Sequence, residues 1–312
     1  MLKPKLDSAK AQQIADAMTR AETLAGSGHI PAAVQAFALA RALCVDLAGP
    51  ATLGRIVARN EAIYRAERET HRAAIAARRP EGRGLVIFAD SLGLPRPVPK
   101  GGAPIEQRVY PELLADALPD RAVTSIAQRF FTTAHVLSEL QADPSLGSEG
   151  ADIILHVGLN DCANRMFLEY ERLSLDLLPE DVSARVVTFS QKNRRAILRH
   201  LAPRHYVSPE MFAANLDAIL ALLKARGAGR VLMATIILPP VRSWPATPGL
   251  NMNFGNYNRA IMTAAWRHEA ILFDIDRHIW QAQHRDALLP DGMHLATEGH
   301  RIFAKQALAL LS

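Results

Sequence analysis

Hydrophobic residues in the first 80 positions recur every three to four residues, which is the spacing of one face of an α-helix. Glycine and proline interrupt this pattern at Gly26–Gly28 and at Gly49-Pro50, and Arg79-Pro80 ends it. The chain therefore starts with a predicted all-helical region of about three helices over residues 1–80.

The first two of these helices resemble one tetratricopeptide-type hairpin, with Ala21, Ala33, Phe37 and Ala40 as its small and aromatic positions. A single hairpin of this type cannot bury its own apolar face, and no second copy follows in the sequence. We therefore expect residues 1–80 to pack as a helical appendage on the main domain, on a second copy of the chain or on a protein partner.

From Gly84 onward, short apolar and β-branched runs alternate with helical patterns. The predicted strands are Leu85–Ala89, Ala122–Ile126, Ile153–Val157, Val231–Ile237 and Ala270–Ile275. The predicted helices between and after them are Pro111–Leu118, Thr133–Leu140, Asp181–Leu201, Pro209–Arg226, Asn256–His268 and Thr297–Leu311. This alternation predicts a second domain, residues 84–312, with a parallel sheet covered by helices on both faces. Ligands of such sheets bind at the carboxyl ends of the strands.

The net charge of +5 and the pI near 9.4 raise the question of nucleic-acid binding. Basic residues are interspersed with acidic ones, as in Arg65–Arg79, which is typical of a solvated helix face with internal ion pairs. Aromatic residues make up only 6% of the chain, so the stacking residues of a nucleic-acid binder are scarce. We therefore expect no nucleic-acid partner.

Cysteine usage and hydropathy bear on where the protein acts. Cys44 and Cys162 are the only cysteines, too few for a disulfide framework, which favours a reducing, cytoplasmic setting. No apolar run approaches the ~20 residues that cross a bilayer, and the N-terminus lacks the apolar core of a signal peptide. The sequence thus predicts a cytoplasmic protein with no membrane span.

Residues that can carry chemistry follow two of the predicted strands and precede the last predicted helix. Ser91 follows the first strand in a tight turn, where a nucleophile would be exposed. Asn160 follows the third strand, and its side-chain amide can stabilise a developing oxyanion. Near the C-terminus, Asp291 and His294 are three residues apart, so the carboxylate can orient the imidazole as a base. His300, where the last helix begins, is interpreted as structural.

Taken together, these segments resemble the SGNH/GDSL hydrolase family over residues 84–312. Ala89-Asp90-Ser91 matches the family's G-D-S nucleophile block except for its glycine. The G-x-N-D block is complete in Gly158-Leu159-Asn160-Asp161, and the D-x-x-H block is complete in Asp291-Gly292-Met293-His294. Ser91–Pro97 and Asn160–Arg165 are similar to a bacterial subset of the family that is associated with polysaccharide modification.

The resemblance implies a three-layer, flavodoxin-like α/β fold and the hydrolysis of acyl esters. It assigns Ser91 as nucleophile, His294 as base and Asp291 as the residue that orients the base. Asn160 and the backbone N–H of Ser91 would form the oxyanion hole, with Asp90, Gly158 and Asp161 as supporting residues of the motifs. The resemblance and the absence of a metal-binding or Walker-type motif together predict no cofactor and no metal.

Two departures from the family pattern concern the site. Ala89 replaces the glycine of the first block and adds a methyl group beside the nucleophile turn. The glycine of the second block is also missing, and either Arg129 or Phe130 falls where it belongs. A residue other than glycine still carries a backbone N–H, so Phe130 is a candidate oxyanion-hole donor. A phenylalanine there would narrow the acyl pocket.

The expected function is that of a serine esterase acting on a small acyl ester, with acetyl as the candidate group and a carbohydrate as the candidate carrier. Two alternatives remain open. One is a carbohydrate O-acyltransferase that uses the same triad. The other is a catalytically weakened member of the family that acts as an interaction module through residues 1–80. Arg165 is a candidate contact for an anionic sugar, and a surface salt bridge explains it equally well.

Overall fold

A computed structural model describes residues 8–76, 84–96, 108–148, 150–282 and 287–312. Its strands are β1 Leu85–Ala89, β2 Val123–Ala127, β3 Asp152–His156, β4 Val231–Ala234 and β5 Ile271–Phe273. Its helices are α1 Ser8–Gly26, α2 Ile30–Ala48, α3 Pro50–Ala76, α4 Tyr110–Ala117, α5 Thr133–Ala142, α6 Leu159–Cys162, α7 Glu169–Ser174, α8 Glu180–Lys192, α9 Arg194–His200, α10 Pro209–Ala225, α11 Leu250–Arg267, α12 Ile275–Gln281 and α13 Thr297–Leu311.

The five strands form one parallel sheet in the order β2-β1-β3-β4-β5. From β1 the chain first adds β2 on one side of β1, and then crosses to add β3 on the other side. The direction in which strands are added therefore reverses at β1. In α/β folds, ligands bind at the carboxyl ends of the strands next to such a reversal. The predicted α/β fold class, a three-layer flavodoxin-like parallel sheet with an N-terminal helical region, is confirmed.

Residues within the chain cluster into two compact units. Unit 1 consists of Met1–Ile63, Asn164–Tyr206 and Trp244–Leu250, and unit 2 consists of Tyr64–Ala163, Val207–Ser243 and Asn251–Ser312. The predicted three N-terminal helices are present as α1, α2 and α3. The division into domains 1–80 and 84–312 stays a prediction, and residues 77–83 at its boundary lie outside the described part of the chain.

The apolar faces of α1 and α2 are covered by other residues in the core of unit 1. Phe37 of α2 stacks on Phe189 of α8, with ring centroids 5.3 Å apart, and meets the edge of Phe167 at 5.8 Å. Arg41 and Arg204 both pair with the buried carboxylate of Glu171, at 3.3 and 2.7 Å. The N-terminal hairpin is therefore completed by the segment between β3 and β4 of the same chain.

One predicted helix differs from the structure. Asp181–Leu201 was expected to be a single helix of the sheet domain, but it is divided into α8 and α9 and belongs to unit 1. Asn193 lies at the break, where its backbone N–H and its side-chain amide both donate to the carbonyl of Phe189. A side chain that competes for backbone carbonyls in this way favours helix ends.

Among the described residues, α2 alone is long and apolar enough to cross a membrane by length and composition. Buried core helices and N-terminal signal sequences meet the same criterion. Ala33, Val34, Phe37 and Cys44 of α2 are buried in the core of unit 1. The expected absence of a membrane span and the cytoplasmic setting stay predictions.

In unit 2, an aromatic cluster covers one face of the sheet below the strand ends. Tyr110 of α4 stacks on Phe303 of α13 at 3.8 Å, and its hydroxyl lies 3.1 Å from Nδ1 of His156 in β3. The backbone N–H of Tyr110 donates to Nδ1 of His300. Burial lowers the pKa of both histidines to about 3. The nearby His300 lowers the pKa of His156 further, and the nearby His294 lowers that of His300. Both are therefore neutral in the folded protein at neutral pH.

These two histidines make stability depend on pH. Their folded pKa values lie below the ordinary value of 6.5, so their contribution is complete above pH 6.5 and is lost as the pH falls toward 3. We expect His156→Gln to reduce the slope of unfolding free energy against pH between 4 and 6 by roughly 1.4 kcal/mol per pH unit, the value for one proton. Urea unfolding at fixed pH steps measures this slope.

The matched control is His200→Gln, because His200 is exposed and its replacement should leave the slope unchanged. Equal slopes in wild type and His156→Gln would contradict the prediction.

Candidate active site

Ser91 lies two residues after the end of β1 and starts a 3₁₀ turn, Ser91–Gly93. Asp90 caps this turn, because its Oδ1 accepts the backbone N–H of Leu92 at 2.9 Å. The backbone N–H of Asp90 donates to the carbonyl of His156 at the end of β3. The turn that carries Ser91 is thus attached to the neighbouring strand, and Ser91 itself is half-buried at the carboxyl end of the sheet.

The structure brings Ser91, His294 and Asp291 together in one hydrogen-bonded line. Ser91 Oγ lies 3.1 Å from His294 Nε2, and His294 Nδ1 lies 2.8 Å from Asp291 Oδ2. The contact with the carboxylate favours a proton on Nδ1, which leaves Nε2 as an acceptor facing the serine hydroxyl. This geometry suits a nucleophile, a base and the group that orients the base.

The loop that carries Asp291 and His294 is held by its own backbone. Asp291 Oδ1 accepts the backbone N–H groups of Met293 and His294 at 2.9 and 3.0 Å. The loop is closed at its base by a bond of 2.8 Å from the N–H of Leu289 to the carbonyl of His294. Gly292 has φ +70°, and a Cβ there would lie 2.9 Å from Pro240 Cδ. Glycine at this position is therefore required both by the turn and by the close packing.

Asp291 is a strong hydrogen-bond acceptor. Burial alone would raise its pKa, but the hydrogen bonds from the His294 side chain and from the two backbone N–H groups hold the pKa well below its ordinary value. Arg96 Nη2 lies 3.8 Å from Asp291 Oδ2 and adds positive charge next to the carboxylate. Asp291 therefore stays ionised at any pH at which His294 can act as a base.

The third block, Gly158–Asp161, follows β3 and extends into α6. Gly158 has φ +122°, and a Cβ there would lie 2.8 Å from Ile236 Cδ1, so only glycine fits. Asn160, buried in the short helix α6, donates from Nδ2 to the carbonyl of Phe131 at 3.2 Å. Asp161 accepts both the N–H and the hydroxyl of Thr133, at 3.0 and 2.6 Å. These bonds attach the third block to the loop that follows β2.

That loop contains the position at which the family's second glycine is missing. Phe130 has φ +59°, a left-handed backbone that glycine adopts readily and other residues adopt at a cost of about 1–2 kcal/mol. Arg129 does not share this conformation, and its side chain instead binds Glu67 and the carbonyl of Pro95. Of the two residues that the sequence left open, Phe130 therefore has the glycine-like backbone. Its part in an oxyanion hole stays a prediction.

Ala89 is the other position at which a family glycine is missing, and the space for its methyl group is provided by Gly93. A Cβ built on Gly93 would lie 2.6 Å from the Cβ of Ala89, so the space that Ala89 fills is left open by Gly93. The nucleophile turn therefore tolerates alanine at position 89 because glycine occupies position 93.

Several residues at the site were not found from the sequence: Arg96, Thr133, Asn215, Tyr64 and Glu67. Asn215 of α10 donates to the hydroxyl of Thr133 and extends the Asp161 network. Arg96 falls within the segment Ser91–Pro97, but neither it nor the other four residues belongs to a catalytic block, and their contacts in the fold reveal them. Arg165, the candidate for an anionic sugar, lies in unit 1 with its guanidinium 4.1 Å from the Tyr206 ring. The described residues include no group of three or more His, Cys, Asp or Glu that could hold a metal ion.

The chain is similar to a known protein family and, in its fold, to solved structures. The family described as "GDSL-like Lipase/Acylhydrolase family" matches residues 90–302. A mutant of Axe2, an acetyl-xylooligosaccharide esterase from Geobacillus stearothermophilus, superposes with a TM-score of 0.50 at 14% identity, covering 73% of this chain and 94% of its own. A lipase/acylhydrolase from Enterococcus faecalis gives a TM-score of 0.50 at 14% identity, covering 74% and 95%. No curated protein matches significantly. At these identities the likeness to solved structures shows the fold.

The packing of Ala89 against Gly93 can be tested directly. Gly93→Ala should destabilise the protein by about 1–3 kcal/mol, as expected for overpacking, because its Cβ would collide with Ala89. Adding Ala89→Gly removes the nearest atom and should recover at least half of the loss. Urea unfolding of the two variants measures both effects.

Gly255→Ala serves as the matched control, since a Cβ there meets nothing within 4 Å. If Gly93→Ala proves as stable as this control, the proposed compensation is wrong.

Proposed function

Because the chain belongs to the GDSL-like lipase/acylhydrolase family, we propose that it is a serine esterase that hydrolyses a small acyl ester. The observation that carries this proposal is the line of hydrogen bonds from Ser91 Oγ through His294 to Asp291. Ser91 is then the nucleophile, His294 the general base and Asp291 the residue that orients and stabilises the imidazolium.

The reaction proceeds in two steps. His294 Nε2 accepts the Ser91 proton while Oγ attacks the ester carbonyl, and the resulting tetrahedral intermediate carries the negative charge on its oxygen. The intermediate expels the alcohol, which takes the proton from His294, and leaves an acyl group on Ser91. His294 then deprotonates a water molecule, which attacks the acyl-serine carbonyl. As the bond to Oγ breaks and the acid is released, Ser91 takes the proton back from His294. Asp291 stays ionised throughout and stabilises His294 whenever it carries the extra proton.

The oxyanion hole of this proposal consists of the backbone N–H groups of Ser91 and Phe130 and the amide of Asn160. Its support is the loop geometry, in which the Phe131 carbonyl orients the Asn160 amide and Asp161 attaches the same loop through Thr133. One such donor contributes about 2.7–4 kcal/mol to transition-state stabilisation in a serine protease.

We propose acetyl as the acyl group and an acetylated carbohydrate as the substrate class. A small acyl group is the one that the sequence favours, because a phenylalanine in place of the second-block glycine adds side-chain volume to the loop after β2. One structural neighbour is an acetyl-xylooligosaccharide esterase by its description, which makes acetylated sugars the first class to test. A carbohydrate O-acyltransferase uses the same triad and differs only in the acceptor that resolves the acyl-serine.

Substitution of the triad tests the mechanism. We expect Ser91→Ala and His294→Ala each to reduce p-nitrophenyl acetate turnover to background, since loss of either residue from a serine triad costs on the order of 10⁶-fold. Asp291→Asn should cost less, about 10⁴-fold, because nucleophile and base remain. Mass spectrometry after treatment with a serine-reactive phosphonate should find the adduct on Ser91.

A second His–Asp pair provides the control: His268 Nε2 lies 3.0 Å from Asp217, so His268→Ala removes a similar interaction elsewhere in unit 2 and should leave turnover unchanged. Retained activity in Ser91→Ala, or an adduct on another serine, would show that the nucleophile is misassigned.

Product analysis tests the substrate class and separates hydrolase from transferase. With an acetylated xylo-oligosaccharide, a hydrolase releases free acetate, whereas a transferase places the acetyl group on an added sugar. We expect free acetate, and a preference for p-nitrophenyl acetate over the octanoate of at least about tenfold, the scale on which pockets discriminate chain length. Acetyl transfer without acetate release would favour the O-acyltransferase, and preference for octanoate would contradict a narrow acyl pocket.

A further inference from the structure

Three consecutive residues of the loop after β2 each contact a side chain of helix α3. Gln128 accepts a hydrogen bond from Arg68, Arg129 pairs with Glu67, and the ring of Phe130 packs on Tyr64 with centroids 5.5 Å apart. The α3 residues involved, Tyr64–Arg68, belong to unit 2 together with the loop. They lie before residue 90, outside the segment that matches the family.

Arg129 connects three parts of the site. Its Nε and Nη2 donate to Glu67 Oε1 at 3.1 and 2.7 Å, and Nη2 also donates to the carbonyl of Pro95 at 2.8 Å. Pro95 lies four residues after the nucleophile, and Arg96 beside it faces Asp291. One guanidinium, 15% exposed, thus joins α3 to the second-block loop and to the segment that follows Ser91.

Arg68 holds the start of the same loop. Its guanidinium is almost fully buried and donates from Nη1 to Glu139 Oε1 at 2.8 Å and to Gln128 Oε1 at 3.4 Å. Glu139 belongs to α5, the helix that begins at the end of the loop. Arg68 Nε also pairs with Glu69 Oε1 at 3.1 Å. Separation from Glu139 would remove one of two charge partners from a buried guanidinium, so this pairing resists displacement.

The loop needs such support because Phe130 adopts a left-handed backbone that glycine would adopt without strain. A strained residue keeps its conformation only where surrounding contacts overdetermine it. The contacts of residues 128–130 with α3 supply that restraint on one side, and the Asn160–Phe131 and Asp161–Thr133 bonds supply it on the other.

We propose that Tyr64, Glu67 and Arg68 of α3 are positioning residues of the active site, which hold the loop 128–130 in the conformation that the missing glycine would otherwise permit. This inference rests on the proposed esterase function, because it assigns the loop to the oxyanion hole. It makes part of the N-terminal helical region necessary for catalysis, whereas the motifs alone all lie after Pro80.

The test uses Glu67→Gln and Tyr64→Leu in the full-length chain. Each should lower kcat for p-nitrophenyl acetate about tenfold or more and leave KM within about twofold, because an oxyanion donor acts in the transition state rather than on bound substrate. Tyr64→Leu keeps apolar volume, so it serves as the second variant if one substitution impairs folding. Circular dichroism and urea unfolding monitor the fold.

A double-mutant cycle with Phe130→Gly distinguishes positioning from a general structural role. Glycine removes the left-handed strain, so Glu67→Gln should cost at least threefold less in kcat in the Phe130→Gly background than in wild type. Equal costs in the two backgrounds, or wild-type kcat in both α3 variants, would overturn the proposal. The matched control is Glu269→Gln, which removes the carboxylate of the exposed ion pair with Lys224 and should leave kcat unchanged.

Failure of the positioning proposal can be told apart from failure of the esterase proposal. If Ser91→Ala is inactive while Glu67→Gln and Tyr64→Leu turn over like wild type, the esterase assignment stands and the role of α3 falls. If wild type neither hydrolyses the ester nor reacts with the phosphonate at Ser91, both proposals fall.

Discussion

The register of β1 between β2 and β3 is the constraint on which the site depends. Ala89 pairs with Ala127 on one side and with His156 on the other, so the three strands end level. Backbone bonds continue one step further, from Gln128 N–H to the Ala89 carbonyl and from Asp90 N–H to the His156 carbonyl. A shift of one residue would turn every side chain of β1 to the opposite face of the sheet. The position of Ser91 is thus determined by a pairing that lies entirely below it.

Two missing glycines are accommodated in different ways. At Ala89 the extra methyl group occupies space that a side chain at position 93 would need, and Gly93 has no side chain. The larger residue at 89 is thus offset by the smaller one at 93. At Phe130 the backbone itself keeps the left-handed conformation. The first solution is steric and local. The second depends on contacts from elements distant in sequence, which is why its consequences extend to α3.

The strands and the candidate site residues Ser91, Asp291 and His294 could be predicted because their signals are local in sequence. Leu85–Ala89 is an apolar run that a tight turn ends, and Asp291 and His294 lie within one short loop, so neither prediction required knowledge of distant contacts. The periodicity of apolar residues predicts that a helix has a buried face, but it does not say which element packs against that face. The segment 181–201 therefore appeared as one helix of the sheet domain, although its apolar residues pack with Phe37. Arg96 and Glu67 were not predicted as site residues for the same reason, because their partners Asp291 and Arg129 are distant in sequence.

The discontinuity of unit 1 has a consequence for synthesis on the ribosome. Arg41 of α2 donates to the carbonyl of Met166, a residue 125 positions later in the chain. At translation rates of about 5–20 residues per second, roughly 6–25 s pass between the synthesis of Arg41 and that of Met166. During this interval the face that carries Phe37 has no α8 to cover it, and the growing chain exposes it to solvent and to chaperones. The order of synthesis thus separates the two halves of one hydrophobic core in time.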